Sequence, residues 1–114
     1  MTPESFTRNI FELAVTDCVT GYEQALTYSE IDEKTDETWN SVKRFVRELT
    51  DSDRVLLMML LKNISVDTLT TFMGILDGSV VIEEYFEDFE LTYDGGDNLA
   101  GSLKDLLVEI DDER

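Results

Sequence analysis

Carboxylates are the only abundant side chains in this sequence that could do chemistry. The 114 residues include 26 Asp and Glu but no histidine and a single cysteine, Cys18. His-assisted nucleophilic catalysis and the usual Cys/His zinc site therefore lack their groups. Paired carboxylates can hydrolyse glycosides or hold Mg²⁺, but such sites need acids fixed at set separations in a cleft. The acids of this chain are clustered without that pattern, so we expect neither an enzyme nor a bound cofactor.

Calcium-binding spacing is also missing. Residues 94–98, with the sequence DGGDN, superficially resemble an ion-binding loop. An EF-hand loop needs acids at alternate positions, Gly at the sixth position and Glu at the twelfth. Neither this segment nor residues 32–37 meets those requirements. We therefore expect no metal site, and we interpret residues 94–97 as a turn.

The excess of acid is concentrated in two segments. Residues 30–37 hold five acids and one base, and residues 77–97 hold eight acids and no base. A chain with a net charge of −17 repels nucleic acid phosphates at long range. The same charge attracts basic proteins, since complementary charge accelerates association. We therefore expect a basic protein partner and no nucleic acid.

The candidate partner-binding residues lie in the sequence EEYFEDFE at residues 83–90. Carboxylates are interleaved there with aromatic rings, and aromatic anchors within a ring of charges are typical of protein-binding surfaces. The alternative interpretation is a strand that places Phe86 and Phe89 in the core and the acids in water. The residues predicted to bind the partner are Glu83, Glu84, Tyr85, Glu87, Asp88 and Glu90.

Two functions from different classes fit these features. The first is a small acidic protein-binding domain that neutralises a basic partner such as a nuclease toxin. In size and charge alone, the chain is similar to small immunity proteins. The second is a structural or assembly module, either a homodimer or an accessory subunit joined through an apolar helix, whose acidity serves solubility. The sequence favours the first function over the second.

Length and composition indicate one folded domain over residues 1–114. The chain is 42% hydrophobic, which is too high for a disordered acidic tail, and its length suits a single domain. One cysteine excludes an internal disulfide bond. The N-terminal residues have neither the basic region nor the apolar region of a secretory signal. We therefore expect a cytoplasmic protein.

The longest apolar stretch, residues 54–77, predicts a central helix. Residues 55–61 are all aliphatic or Met, and a helix that is apolar on every side should be buried. A run of this length is too short to span a bilayer, which needs about 20 apolar residues, so we expect no membrane contact. Burial of Leu57 and Leu60 would make their replacement by Ala cost about 2 to 5 kcal/mol.

The ends of this helix carry capping signals. Thr50 or Ser52 is suited to cap its start, and Gly78 is suited to end it. Residues 63–66 are weaker helix formers, so the stretch forms either one bent helix or two consecutive helices. The sequence alone does not distinguish these two alternatives.

A first helix is predicted from Thr2, an N-cap residue, to about Tyr28. Apolar residues recur there at intervals of three and four, and they include Cys18. Because free cysteine is among the most buried residue types, we expect Cys18 to be a buried structural thiol.

A second helix is predicted to start at about Asp36 and to carry the only cationic surface, formed by Lys43, Arg44 and Arg47. A phosphate site is one interpretation of these cations. With so many acids in the chain, we favour a solvated helix face paired with nearby carboxylates.

The period changes from helical spacing to alternation after Gly78. Residues 80–83 and 89–93 alternate as half-buried strands do, and residues 98–100 would return beyond the turn as a short partner strand. A last helix then opens at Gly101 and Ser102. The predicted fold class is α+β and mainly α, a compact helical domain of about four to five helices with a small β-hairpin before the C-terminal helix.

Overall fold

The computed structural model describes residues 1–83 and 88–113, and in these ranges all regular structure is helical. The elements are α1 (Pro3–Phe11), a π-helical segment (Glu12–Asp17), α2 (Cys18–Tyr28), α3 (Glu37–Glu48), α4 (Asp51–Asp77) and α5 (Leu103–Asp112). The first three elements follow one another without a gap, so they form one long helix with a wider turn in its middle. The predicted mainly helical fold is confirmed.

Local capping determines where the helices begin and end. The side chains of Thr2, Asp36 and Thr50 each accept a hydrogen bond from the backbone N–H three residues later, at 3.1, 3.2 and 3.2 Å. These bonds satisfy donors that a helix start otherwise leaves without partners. Gly78 ends α4 with a φ of 81°, a left-handed conformation that glycine adopts without strain. The predicted boundaries are confirmed at all four positions.

The long helix α4 runs unbroken for 27 residues. The Ser65 hydroxyl donates to the carbonyl of Leu61 at 2.9 Å, within the same helix, so it does not cap a new one. Of the two alternatives that the sequence left open, the structure has one continuous helix.

The core lies between α1, the π segment, the C-terminal half of α4 and α5. Its buried members are Phe11, Val15, Val66, Met73, Leu103, Leu107 and Ile110. Val66 and Met73 are seven residues apart and therefore share one face of α4. The predicted C-terminal helix contributes Leu103, Leu107 and Ile110 to this core.

The N-terminal half of α4 lies outside this core, so the prediction that residues 55–61 are buried was wrong. Leu60 is 53% exposed and Leu57 is only partly buried. Of the most apolar 18-residue stretch in the helix, 6% is buried. The core forms around Val66 and Met73, and this arrangement leaves the preceding turns uncovered.

Cys18 is exposed, so the prediction of a buried thiol was also wrong. The buried positions of the first long helix that precede Cys18 are Thr7, Phe11 and Val15, which are spaced four residues apart. The π segment then places extra residues in a turn and rotates the following helix relative to the preceding one. A single helical period carried through this segment therefore gives the wrong face for Cys18.

The predicted turn before the C-terminal helix is present. Asp94 and Gly95 both have positive φ, 52° and 71°, as the two central residues of a type I′ turn do. The N–H of Gly96 donates to the carbonyl of Tyr93 at 3.0 Å and closes the turn.

The predicted β-hairpin around this turn was wrong, because the described residues contain no strand. The N–H of Leu99 donates to the carbonyl of Leu91 at 2.7 Å, which is one backbone bond of the kind a hairpin would use. The reciprocal donor, the N–H of Leu91, is bound by the side-chain oxygen of Asn98 at 2.8 Å. A side chain thus takes the place of the backbone, and the ladder does not continue.

A carboxylate at the end of α4 holds the start of α5. The side chain of Asp77 accepts hydrogen bonds from the N–H groups of Gly101, Leu103 and Lys104, at 2.6, 3.0 and 2.8 Å. Ser102, at the N-cap position of α5, makes no side-chain cap bond. Asp77 therefore caps α5 from another helix and fixes the angle between α4 and α5.

Candidate protein-binding surface

An exposed apolar feature lies on the N-terminal half of α4. Five of its side chains are each 53 to 61% exposed, namely Val55, Leu56, Met59, Leu60 and Ile64. Residues three or four positions apart in a helix lie on neighbouring parts of its surface, so these five form one continuous patch. We call this patch the apolar face.

A groove of about 550 Å³ runs between α2 and the N-terminal half of α4. Its apolar lining comprises Val19, Tyr28, Val55, Met58 and Met59, so it adjoins the apolar face. Thr27 of α2 also lines the groove. Methionine side chains adapt to differently shaped partners, so this lining suits an inserted side chain.

A smaller cavity of about 260 Å³ adjoins the groove and shares Val19 and Lys62 with it. Val15 and Thr16 of the π segment also line this cavity. Helical segments of the π type are frequent at functional sites. The concave surface therefore reaches from the apolar face to the irregular turn of the first long helix.

The two bases that line the groove both have carboxylate partners. Arg54 forms an ion pair with Asp51 at 2.6 Å, and Lys62 forms one with Asp111 of α5 at 3.4 Å. The apolar interior of the groove is thus bordered by paired charges of both signs. Such an arrangement, apolar at its centre and polar at its rim, is the anatomy of a protein interface.

The cations of α3 hold the C-terminal end of α2. Lys43 is buried, and its Nζ donates to the carbonyl of Glu30 at 2.8 Å. Arg47 donates to the carbonyl of Leu26 at 3.1 Å and also to the carbonyl of Ser29. Positive charge at a helix C-terminus is stabilising, and these bonds satisfy carbonyls that the helix itself leaves without partners. Lys43 and Arg47 therefore bind backbone carbonyls, and the buried Lys43 does not lie on a solvated helix face as predicted.

The first acidic segment, residues 30–37, is partly engaged in local contacts. Asp32 accepts hydrogen bonds from the Thr35 hydroxyl at 3.0 Å and from the N–H groups of Thr35 and Lys34, both at 2.9 Å. The Thr35 hydroxyl and these N–H groups stabilise the carboxylate and lower the pKa of Asp32. Arg44 pairs with Glu37 at 2.9 Å, as predicted for the cations of this helix.

The second acidic segment contains the residues that the sequence predicted to bind a partner. Glu83, Asp88 and Glu90 are exposed. Glu84, Tyr85 and Glu87 lie outside the described residues, as does Phe86, the ring that the alternative interpretation placed in the core. Phe89, the second ring of that interpretation, is 39% exposed. Binding of a partner by the six residues stays a prediction.

The sequence contained one signal for the apolar face, the uninterrupted run at residues 55–61. A helix that is apolar on every side can be covered by its own chain or by another molecule, and the run does not distinguish the two. By length and composition alone, Asp51–Asp77 would also be able to cross a membrane. The α2 wall of the groove had no comparable signal, because residues 18–28 contain no long uninterrupted apolar run.

No protein-family model, curated protein or solved structure matches this chain. Within residues 1–83 and 88–113, no group of three or more Cys, Asp and Glu is placed to hold a metal ion.

Proposed function

We propose that this chain is a protein-binding assembly module, joined to its partner through the apolar face of α4 and the adjoining groove. The observation that supports this proposal is the uncovered apolar face on a domain that has its core elsewhere. Soluble monomers rarely expose large contiguous apolar patches, and those that occur commonly mark interaction sites. An uncovered apolar face favours the assembly module over the acidic inhibitor that the sequence favoured.

The elongated shape of the chain also supports an assembly function. Its radius of gyration is 17.8 Å, and its extents are 48 by 30 by 28 Å. A compact domain of this length would have a radius of gyration of about 13 Å. The 27-residue helix α4, which is about 40 Å long, contributes to the difference.

Site-specific photo-crosslinking in the native cells tests this proposal. A benzophenone amino acid at position 59 replaces Met59, which lines the groove and is 55% exposed. We expect it to form covalent adducts with protein. The matched control carries the same group in place of Leu13, which is 65% exposed and lies outside the apolar face and the groove. We expect no adduct at that position.

The comparison of the two positions decides the outcome. Adducts at position 59 and none at position 13 would support a protein-binding surface on α4, whatever the partner is. Equal adduct formation at both positions, or none at position 59, would contradict the proposal. The mass of each adduct also tells whether the captured protein is a second copy of this chain.

The second candidate function is the immunity-like inhibitor, which would neutralise a basic partner such as a nuclease toxin. Its support is the exposure of Glu83, Asp88 and Glu90 in a segment that has no base. Exposed charges act mainly through the rate of encounter, because they attract the opposite charge before contact. This candidate therefore makes a kinetic prediction.

Amide replacement of Glu83, Glu84, Glu87 and Asp88 should slow association with a basic partner and leave the fold intact. The wild-type on-rate should fall steeply as salt is added, and the on-rate of the amide variant should be lower and less sensitive to salt. The measurement is surface-based binding kinetics at several ionic strengths, against the protein captured by a benzophenone amino acid at position 85. Equal, salt-insensitive rates for the two chains would exclude the acidic segment as the contact.

A further inference from the structure

We infer that the occupant of the apolar face is a second copy of this chain, packed so that the two α4 helices run antiparallel. This inference rests on the proposed function, because it names the partner of the same surface. The inferred assembly is a homodimer with two-fold symmetry, in which each chain presents its apolar face and groove to the other.

The distribution of charge permits self-association at this face despite the net charge of −17. Residues 55–76 hold one acid and one base, so the face itself carries no excess charge. Residues 77–97, which hold eight acids, start at the far end of α4. From Ile64 to Asp77 the helix rises by about 20 Å, which exceeds two Debye lengths of about 8 Å at physiological salt. The negative charge of Asp77, at that distance, is therefore largely screened from the contact.

The charges along the groove favour an antiparallel arrangement. Asp51 and Lys62 both line the groove, one near each end of its α4 wall, and the side chain of Asp51 is 98% exposed. An antiparallel pair centred near Leu56 brings Asp51 of each copy beside Lys62 of the other, so that the ion pairs that each makes within its own chain, Arg54–Asp51 and Lys62–Asp111, become neighbours. A parallel pair would place like charges together and would align the two helix dipoles. Both effects are unfavourable.

Sedimentation equilibrium of the purified chain tests the dimer. We expect a mass of about 26 kDa, twice the 13.1 kDa of one chain. Leu56→Glu and Leu60→Glu should each raise the dissociation constant on the order of 100-fold or more, because a carboxylate would be buried without a partner. Leu13→Glu, outside the face, should leave the mass unchanged. Circular dichroism establishes that each variant retains its helices.

The salt dependence of the dimer should be opposite to that of a complex with a basic protein. Raising NaCl from about 0.01 M to 0.15 M shortens the Debye length from about 30 to 8 Å, which screens the repulsion between two acidic copies. The dimer should therefore become tighter as salt is added. A dimer that weakens with salt would contradict the proposed contact.

Cross-linking distinguishes the antiparallel arrangement from a parallel one. In a Cys18→Ser background, Leu56→Cys lies near the two-fold axis, and a short bismaleimide should link the two copies. Ile64→Cys should not be linked, because its two copies lie roughly 20 Å apart along the helices. Linking at both positions, or at position 64 alone, would contradict the antiparallel arrangement.

The remaining outcomes separate this inference from the proposed function. A monomer of one-chain mass at every salt concentration overturns the dimer, and photo-crosslinking at position 59 still tests the assembly function independently. Flotation with neutral phosphatidylcholine vesicles is the second control. If the wild-type chain floats and Leu56→Glu does not, the face binds lipid, and the dimer inference is overturned.

Discussion

Replacing Leu107 by Ala is expected to lower the free energy of unfolding by about 2 to 5 kcal/mol, which is a large part of the total for a domain of this size. The Leu107 side chain is fully buried at the centre of the core, between α1, the π segment and α4. Its loss removes apolar burial from water and leaves a cavity that neighbouring helices only partly fill.

The matched control for this experiment is Leu13→Ala. It removes the same atoms from a helical position that is 65% exposed, so the free energy of unfolding should change by less than about 0.5 kcal/mol. Urea denaturation followed by circular dichroism, at one protein concentration for all chains, gives both values. Equal midpoints for the two variants would mean that the core does not lie where α5 meets α1 and α4.

Replacing Asp77 by Ala is expected to cost about 2 kcal/mol, the upper end of the range for an N-cap. The carboxylate accepts three backbone N–H groups at the start of α5, and Ala would leave all three without this partner. Asp77→Asn should cost less than Asp77→Ala, because the amide retains one oxygen as an acceptor.

Asp67→Ala provides the comparison for Asp77. Asp67 is exposed in the same helix, so its removal tests the loss of one negative charge without the loss of a cap. We expect its urea midpoint to stay close to that of the wild type. If Asp67→Ala and Asp77→Ala are equally destabilising, the general charge of the chain explains the effect and the cap does not.

Local features of the fold were predictable from the sequence. Helix starts at Thr2, Asp36 and Thr50 and the helix end at Gly78 depend on bonds between residues within one turn of each other. A sequence contains all the information for such bonds. The turn at Asp94 was predictable for the same reason, since few residues tolerate its conformation.

Features that depend on distant residues were not predictable in this way. The apolar run at residues 55–61 has the composition of a core helix, but burial requires another element to cover it. Whether α5 packs against the first or the second half of α4 depends on the Asp77 cap and on the turn after Gly78. The same limit applies to Lys43, whose burial depends on the carbonyl of Glu30 in another part of the fold.

The failed hairpin prediction has a different cause. Residues 89–93 have the alternation of a strand, and the turn that follows them is correct. The side chain of Asn98 nevertheless binds the N–H of Leu91, the donor that would have continued the ladder. Alternation indicates which side chains can face a core, but it does not determine which acceptor a backbone donor finds.

The contacts between α2 and α3 imply that the fold does not unfold locally as one unit. The buried residues of these two helices, Leu26, Asn40, Lys43 and Val46, lie outside the main core cluster. A region with few buried apolar contacts has a lower free energy of local opening than the main core. This end of the molecule should therefore fluctuate between closed and open forms while α1 and α5 stay packed. A second chain bound at the groove would selectively stabilise the closed form, so assembly and local order would be coupled.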